Sequence, residues 1–155
     1  MTIYRERLSA SVWVFISTAL VIPAALLVFL PINRTAGVVV AIALYSGCVA
    51  AILATAPVIE VTDTHIIAGR ARLPVQFAGV ATGFSGDEAT LERGRHLDAR
   101  AWLLIRGWVA SVVTIQVTDA HDPTPYWLVS TRHPAALVAA IAEAQRLADA
   151  ATATR

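Results

Sequence analysis

Two uncharged apolar runs, Leu8 to Asn33 and Thr35 to Ile59, stand nearly back to back at the start of the chain, with Arg34 alone between them. The core of the first, Ser11 to Leu30, has the length of about twenty residues needed to cross roughly 30 Å of hydrocarbon at 1.5 Å per residue. The second is richer in Ala and Gly and inserts as partner of the first. Overall the chain is 57% hydrophobic and 15% charged, and nineteen of its twenty-three charged residues follow Pro57. This asymmetry divides it into an N-terminus at residues 1–10, a transmembrane helical hairpin at 11–56 and a β-rich domain at 57–155.

Pro23 lies inside the first run, where it removes one helical hydrogen bond and predicts a kink. Trp13 sits near the start of the span, a position that suits an indole at the headgroup layer. A secretory signal peptide is the rival reading, since Arg5 and Arg7 precede the run; the apolar stretch is too long for one, and no small-residue cleavage site follows Leu30 at a suitable distance. Arg5 and Arg7 before the hairpin, and Arg70 and Arg72 soon after it, outnumber Arg34 in the connector. By the positive-inside rule both termini are cytoplasmic, in a multi-pass protein of the cell inner (cytoplasmic) membrane. Ala43, Gly47 and Ala51 share one face of the second helix; they serve packing within the hairpin or, alternatively, a homodimer.

Beyond Pro57, period-two patterning takes over. Val58–Thr62 and His65–Ala68 read as strands joined by a turn at Asp63-Thr64; Arg72–Val75 is a short extended piece that Pro74 confines to an edge. Val80–Phe84 is a further strand, followed by a polar loop from Ser85 to Gly94. Ala101–Ile105 and Tyr126–Thr131 are strands, and Ser111–Thr118 alternates, with Val113, Ile115 and Val117 on one face. A helix starts near Pro134, its apolar stripe formed by Leu137, Val138, Ile141, Ala144 and Ala148. The fold class is α+β: a two-helix transmembrane hairpin, then a small β-rich domain of six or seven strands closed by a C-terminal helix. A pleckstrin-homology-like roll fits that string, as does a split α+β sheet.

The stretches Tyr4-Arg5-Glu6-Arg7-Leu8, Gly69-Arg70-Ala71-Arg72-Leu73-Pro74, Leu97-Asp98-Ala99-Arg100-Ala101 and, most specifically, residues Asp122 to Arg132 carry a resemblance. The chain resembles an uncharacterised, actinobacterial-type membrane protein family, domain of unknown function 3093. The resemblance implies the hairpin-plus-domain architecture and brings no active site with it. Ala120 stands where that pattern leads us to expect a proline, which implies a looser turn here.

The charge balance narrows the function. After Pro57 nine Arg face ten Asp and Glu, so there is no dominant basic field and nucleic acid is not an expected partner. Cys48 is the only cysteine and lies in an apolar run, so no intramolecular disulfide or cysteine metal cluster can form. His121, Asp122 and Asp119 could gather an imidazole and carboxylates as metal ligands or an acid–base pair, against the reading of a solvated turn. The other histidines, His65, His96 and His133, have no ligand spacing among them, no phosphate loop or dinucleotide fingerprint occurs, and no cofactor is expected. Neither apolar run holds an acidic residue or histidine to carry protons or substrate, which disfavours a transporter.

The candidate interaction surface is the turn His121, Asp122, Pro123, Pro125, Tyr126 and Trp127, because two prolines pre-set the backbone and Tyr126 offers contact area. The opposing reading has the prolines merely closing a hairpin with Tyr126 packed on the sheet, and Trp102, Trp108 and Trp127 in the core. Arg70 and Arg72 are candidate contacts to anionic headgroups in the bilayer, with plain solvation as the alternative. The expected role is a membrane-anchored binding or scaffold module for an unidentified protein partner; the alternative is a membrane-associated enzyme acting on a lipid or envelope precursor.

Overall fold

The computed structural model describes residues 1–153, which form two compact units. Residues Ser9–Ala56 make one; Met1–Leu8 and Pro57 onward make the other. The N-terminal residues are thus not a separate tail: strand β1 (Thr2–Arg7) pairs antiparallel with β2 (Val58–Thr62), on the far side of the helices in sequence.

The helical unit holds α1 (Val12–Thr18), α2 (Val21–Phe29) and α3 (Arg34–Ala54). The break between α1 and α2 follows from Pro23. With no N–H to give the Ala19 carbonyl, it leaves that oxygen to Ile22, whose N–H binds it at 3.0 Å in a tighter turn. Asn33 caps α3, its side-chain oxygen accepting from the Ala36 N–H at 3.1 Å. α2 and α3 lie side by side where Gly37 lets them approach: a Cβ there would sit 3.3 Å from that of Phe29. Gly37 and Ala41 are the buried small residues of α3, whereas Ala43, Gly47 and Ala51 are exposed. Packing within the hairpin therefore uses a different face from the one expected. Val12–Phe29 and Arg34–Ala54 are each long and apolar enough to cross a membrane.

In the other unit, β1, β2, β3 (His65–Ala68) and β4 (Ala71–Pro74) form an antiparallel meander in sequence order. Gly69, at φ 64°, makes the tight turn between β3 and β4. After a 3-10 turn at Val75–Phe77 come β5 (Ala78–Phe84), helix α4 (Gly86–Arg93), β6 (Trp102–Leu104), β7 (Val112–Val117), β8 (Tyr126–Ser130) and helix α5 (Pro134–Ala153). The second sheet runs β5-β7-β8-β6, with β6 parallel to β8.

Alternation puts Ile59, Val61, Ile66, Val113, Ile115 and Val129 inside, where α5 closes them with Leu137, Ile141 and Ala144. Removing that apolar area from water is the main stabilising term. The bulge in β5 between Ala78 and Ala81 frees two carbonyls from the ladder. Gln145 of α5 satisfies both, at 2.7 Å to Ala78 and 3.0 Å to Gly79.

The segment expected as a polar loop after Phe84 is instead α4. Asp87 and Glu88 in its first turn and Arg93 in its last suit the helix dipole. Ala89 on its inner face covers Val112 and Leu128, making a second small core on the outer side of the sheet.

Candidate functional site

Strand register sorts the β unit's side chains into two ends. At one end the chain leaves and returns: the Leu8 N–H donates to the Pro57 carbonyl at 2.9 Å. The Gly69 N–H donates to Val58 at 2.8 Å, which brings the β3–β4 turn to the same end, and the Arg106 N–H donates to the Ser130 hydroxyl at 3.0 Å. At the other end lie the Asp63-Thr64 turn and the connection from Thr118 to Pro125.

The exit end is basic. Arg7, Arg70 and Arg132 are exposed there, Arg106 is half-buried, and Arg72 stands one register step in on the outer face of β4. The far end is acidic, with Asp63, Asp119 and Asp122 in its turns. The near-neutral total charge conceals this separation.

A polar latch ties β1 to the junction of β8 and α5. Glu6 accepts from the Thr131 hydroxyl at 2.6 Å, from the Arg132 N–H at 3.0 Å and from the Tyr4 hydroxyl at 2.8 Å. Burial pushes the Glu6 carboxyl up, but these three donors and nearby His133 outweigh it, and its pKa lies below the ordinary value. Tyr4 is pushed up to about 12, first by burial and further by the neighbouring Glu6 carboxylate, against an opposing hydrogen bond with Thr131.

The turn residues separate. His121 is fully solvated, its side chain 97% exposed and 3.4 Å from the Asp119 carboxylate. Asp122 is also exposed; the Thr124 N–H donates to its carboxylate at 2.9 Å, and that bond holds its pKa below the usual range. Pro123 is exposed and Pro125 half-buried.

Tyr126 and Trp127 turn away from this group. The Tyr126 hydroxyl accepts from the Asp98 N–H at 2.9 Å and donates to the His96 carbonyl at 3.3 Å, pinning the loop after α4. In that loop the Arg100 guanidinium beside Asp98 holds its carboxyl down to about 2. Trp127 is 5% exposed and its ring centroid is 4.7 Å from that of Trp102. The candidate patch therefore reduces to His121, Asp122 and Pro123, with Tyr126 and Trp127 placed in the packing.

Arg70 and Arg72 both lie at the exit end. Sequence reasoning missed that Arg7, Arg106 and Arg132 join them, because the strand pairings that unite them are long-range. Trp108, expected in the core, is 37% exposed on the loop after β6. Arg93 fixes that loop by donating to the carbonyls of Val109, at 3.3 Å, and Ala110. Among the described residues no group of three or more His, Cys, Asp or Glu is arranged to hold a metal ion.

No curated protein and no solved structure matches the chain. A family model described as a protein of unknown function, DUF3093, matches residues 3–141, and the chain belongs to that family.

Proposed function

We propose that the chain is a multi-pass protein of the cell inner (cytoplasmic) membrane, with both termini cytoplasmic, whose β unit is a pleckstrin-homology-like roll acting as a binding or scaffold module. The observation that carries this reading is the pairing of β1 with β2 around the apolar helices. Two crossings return the chain to the side it left, which that pairing requires; a single crossing would place β1 and β2 on opposite sides. Removal of the first helix as a signal sequence would cut β1 from its sheet. The helices also bury little of themselves, 6% and 11% of their apolar windows, unlike the core helices of a globular domain. Arginine placement then orients the hairpin.

The roll reading rests on layout: a four-strand meander, a second meander β5-β7-β8, and a helix across both, with α4 and β6 as an insertion whose strand joins the sheet edge. The binding surface is the acidic far-end turn around His121 and Asp122, held by local hydrogen bonds and by Pro123 and Pro125 and directed away from the exit end.

Reporter fusions to the C-terminus test the topology: a cytoplasm-active reporter should be on and a periplasm-active one off. Co-purification from membranes in mild detergent tests the binding role. A partner retained by the wild type and lost with His121→Ala/Asp122→Ala supports it; a partner set unchanged by the double variant rejects this surface.

A further inference from the structure

We infer that the exit end of the β unit is a built seat for an anionic bilayer surface, gripping it through Arg7, Arg70, Arg72, Arg106 and Arg132 and touching its interfacial layer with Trp108. This rests on the membrane reading above and adds a lipid class and a set of contacts to it. Three observations converge. The first is charge: these arginines come from β1, β4, the β3–β4 turn, the loop after β6 and the junction of β8 and α5, and the fold gathers them at one end while Asp63, Asp119 and Asp122 occupy the other. Among the described residues no ion pair engages Arg70, Arg72 or Arg106. Glu6, one register step in from Arg7 and held by Thr131 and the Arg132 N–H, and Asp87 and Glu88 at the start of α4 are carboxylates at this end, and five arginines against these three leave the balance positive.

The second is the tip. An indole that is part exposed on a loop pinned by Arg93 is amphipathic and preordered, which suits the boundary between headgroups and acyl chains. The third is reach. Only Ser9, Ala10 and Ser11 separate Leu8 from α1, and only Thr55 and Ala56 separate α3 from Pro57. At about 3.5 Å per extended residue such tethers span at most roughly 14 Å, so approach to the headgroups closer than the Debye length of about 8 Å at physiological salt lies within their range. Phosphate-bearing lipid headgroups of net negative charge are the chemistry that a fan of guanidinium groups at that distance recognises.

The test uses the full chain carrying Cys48→Ser and Gly107→Cys, the new thiol labelled with a fluorophore, in nanodiscs of phosphatidylcholine alone or mixed with phosphatidylglycerol. An added Cβ at Gly107 meets nothing within 4 Å, so the label is tolerated. Quenching by a headgroup-attached nitroxide should be stronger in the anionic discs than in the neutral ones, and high salt should remove the difference. Arg70→Gln, Arg72→Gln and Arg106→Gln should each shift the docked-to-undocked ratio by roughly fivefold. Quenching indifferent to lipid charge, in a chain that stays in the membrane through alkaline carbonate extraction, overturns the seat alone. A chain released by carbonate overturns the membrane reading and the seat with it.

Discussion

The Thr131 hydroxyl donates a 2.6 Å hydrogen bond to the Glu6 carboxylate across 125 positions of sequence. Thr131 is fully buried, and Glu6 belongs to the only strand that precedes the helices. The bond therefore joins the first strand of the β unit to the junction of its last strand and last helix, and it predicts a pH dependence. The folded-state pKa of Glu6 is lowered, so its contribution is fully present above the ordinary value of 4.5 and is lost as pH falls through the lowered value. Thermal melts of the wild type should lose stability on acidification below that point, and Glu6→Gln should flatten this part of the profile. At neutral pH, Glu6→Gln should cost about 2 kcal/mol, the usual scale for hydrogen bonds to a charged group. An unchanged acid limb would reject the latch.

Residues Pro57 to Arg155 alone should fold poorly, because they lack β1 and the fully buried Leu8. Losing a buried leucine alone costs about 2–5 kcal/mol. Since Leu8 and Pro57 are hydrogen-bonded neighbours, replacing Ser9–Ala56 by Asn-Gly should close a two-residue hairpin and give a soluble, cooperatively melting domain. Circular dichroism of the two proteins decides: equal stability with and without Met1–Leu8 would show that the strand contributes nothing.

Tyr126→Phe should lower stability by about 1 kcal/mol, because it leaves the Asp98 N–H and the His96 carbonyl without their partner. His121→Ala/Asp122→Ala should leave the melting temperature unchanged and act only on partner retention. A Tyr126→Phe protein that melts like the wild type would return this tyrosine to the list of free surface groups.

Two glycines on one helix should respond differently. Gly37→Leu forces a side chain against Phe29 and should splay α2 from α3, read as increased cysteine accessibility of Cys48. Gly47→Leu meets open space and should leave the hairpin intact. Should the chain cross-link to itself in membranes, the same Gly47→Leu change should reduce the dimer band; a dimer indifferent to it does not use Ala43, Gly47 and Ala51.

Legibility in the sequence tracked where the physical signal lay. β2, β3, β7 and α5 alternate or stripe so cleanly that their ranges are readable to within a residue or two. β1 was not readable: Thr2–Arg7 holds three charged residues in six, and its partner lies about fifty positions away. Helix α4 carried an unused signal, Ser85 followed three residues later by Glu88, the spacing of a capping box, although the Ser85 hydroxyl binds Ser111 instead. The turn at His121 was found, but which way Tyr126 points depends on the loop that receives its hydroxyl, and no local pattern encodes that.

Because the apolar hairpin interrupts a strand pair, the order of synthesis becomes a timer. β1 leaves the ribosome first and has nothing to pair with until β2 follows; at about 5–20 residues per second that wait lasts several seconds. On the proposed two-crossing topology, both helices have time to enter the bilayer during it. On that topology a nascent chain threading only one of them would leave its first strand across the membrane from the rest of its sheet, with Leu8 uncovered and Glu6 unlatched. Completion of the sheet would then be a receipt for correct insertion, and a quality-control protease that cuts unpaired strands would discard mis-threaded chains without needing to inspect the helices at all.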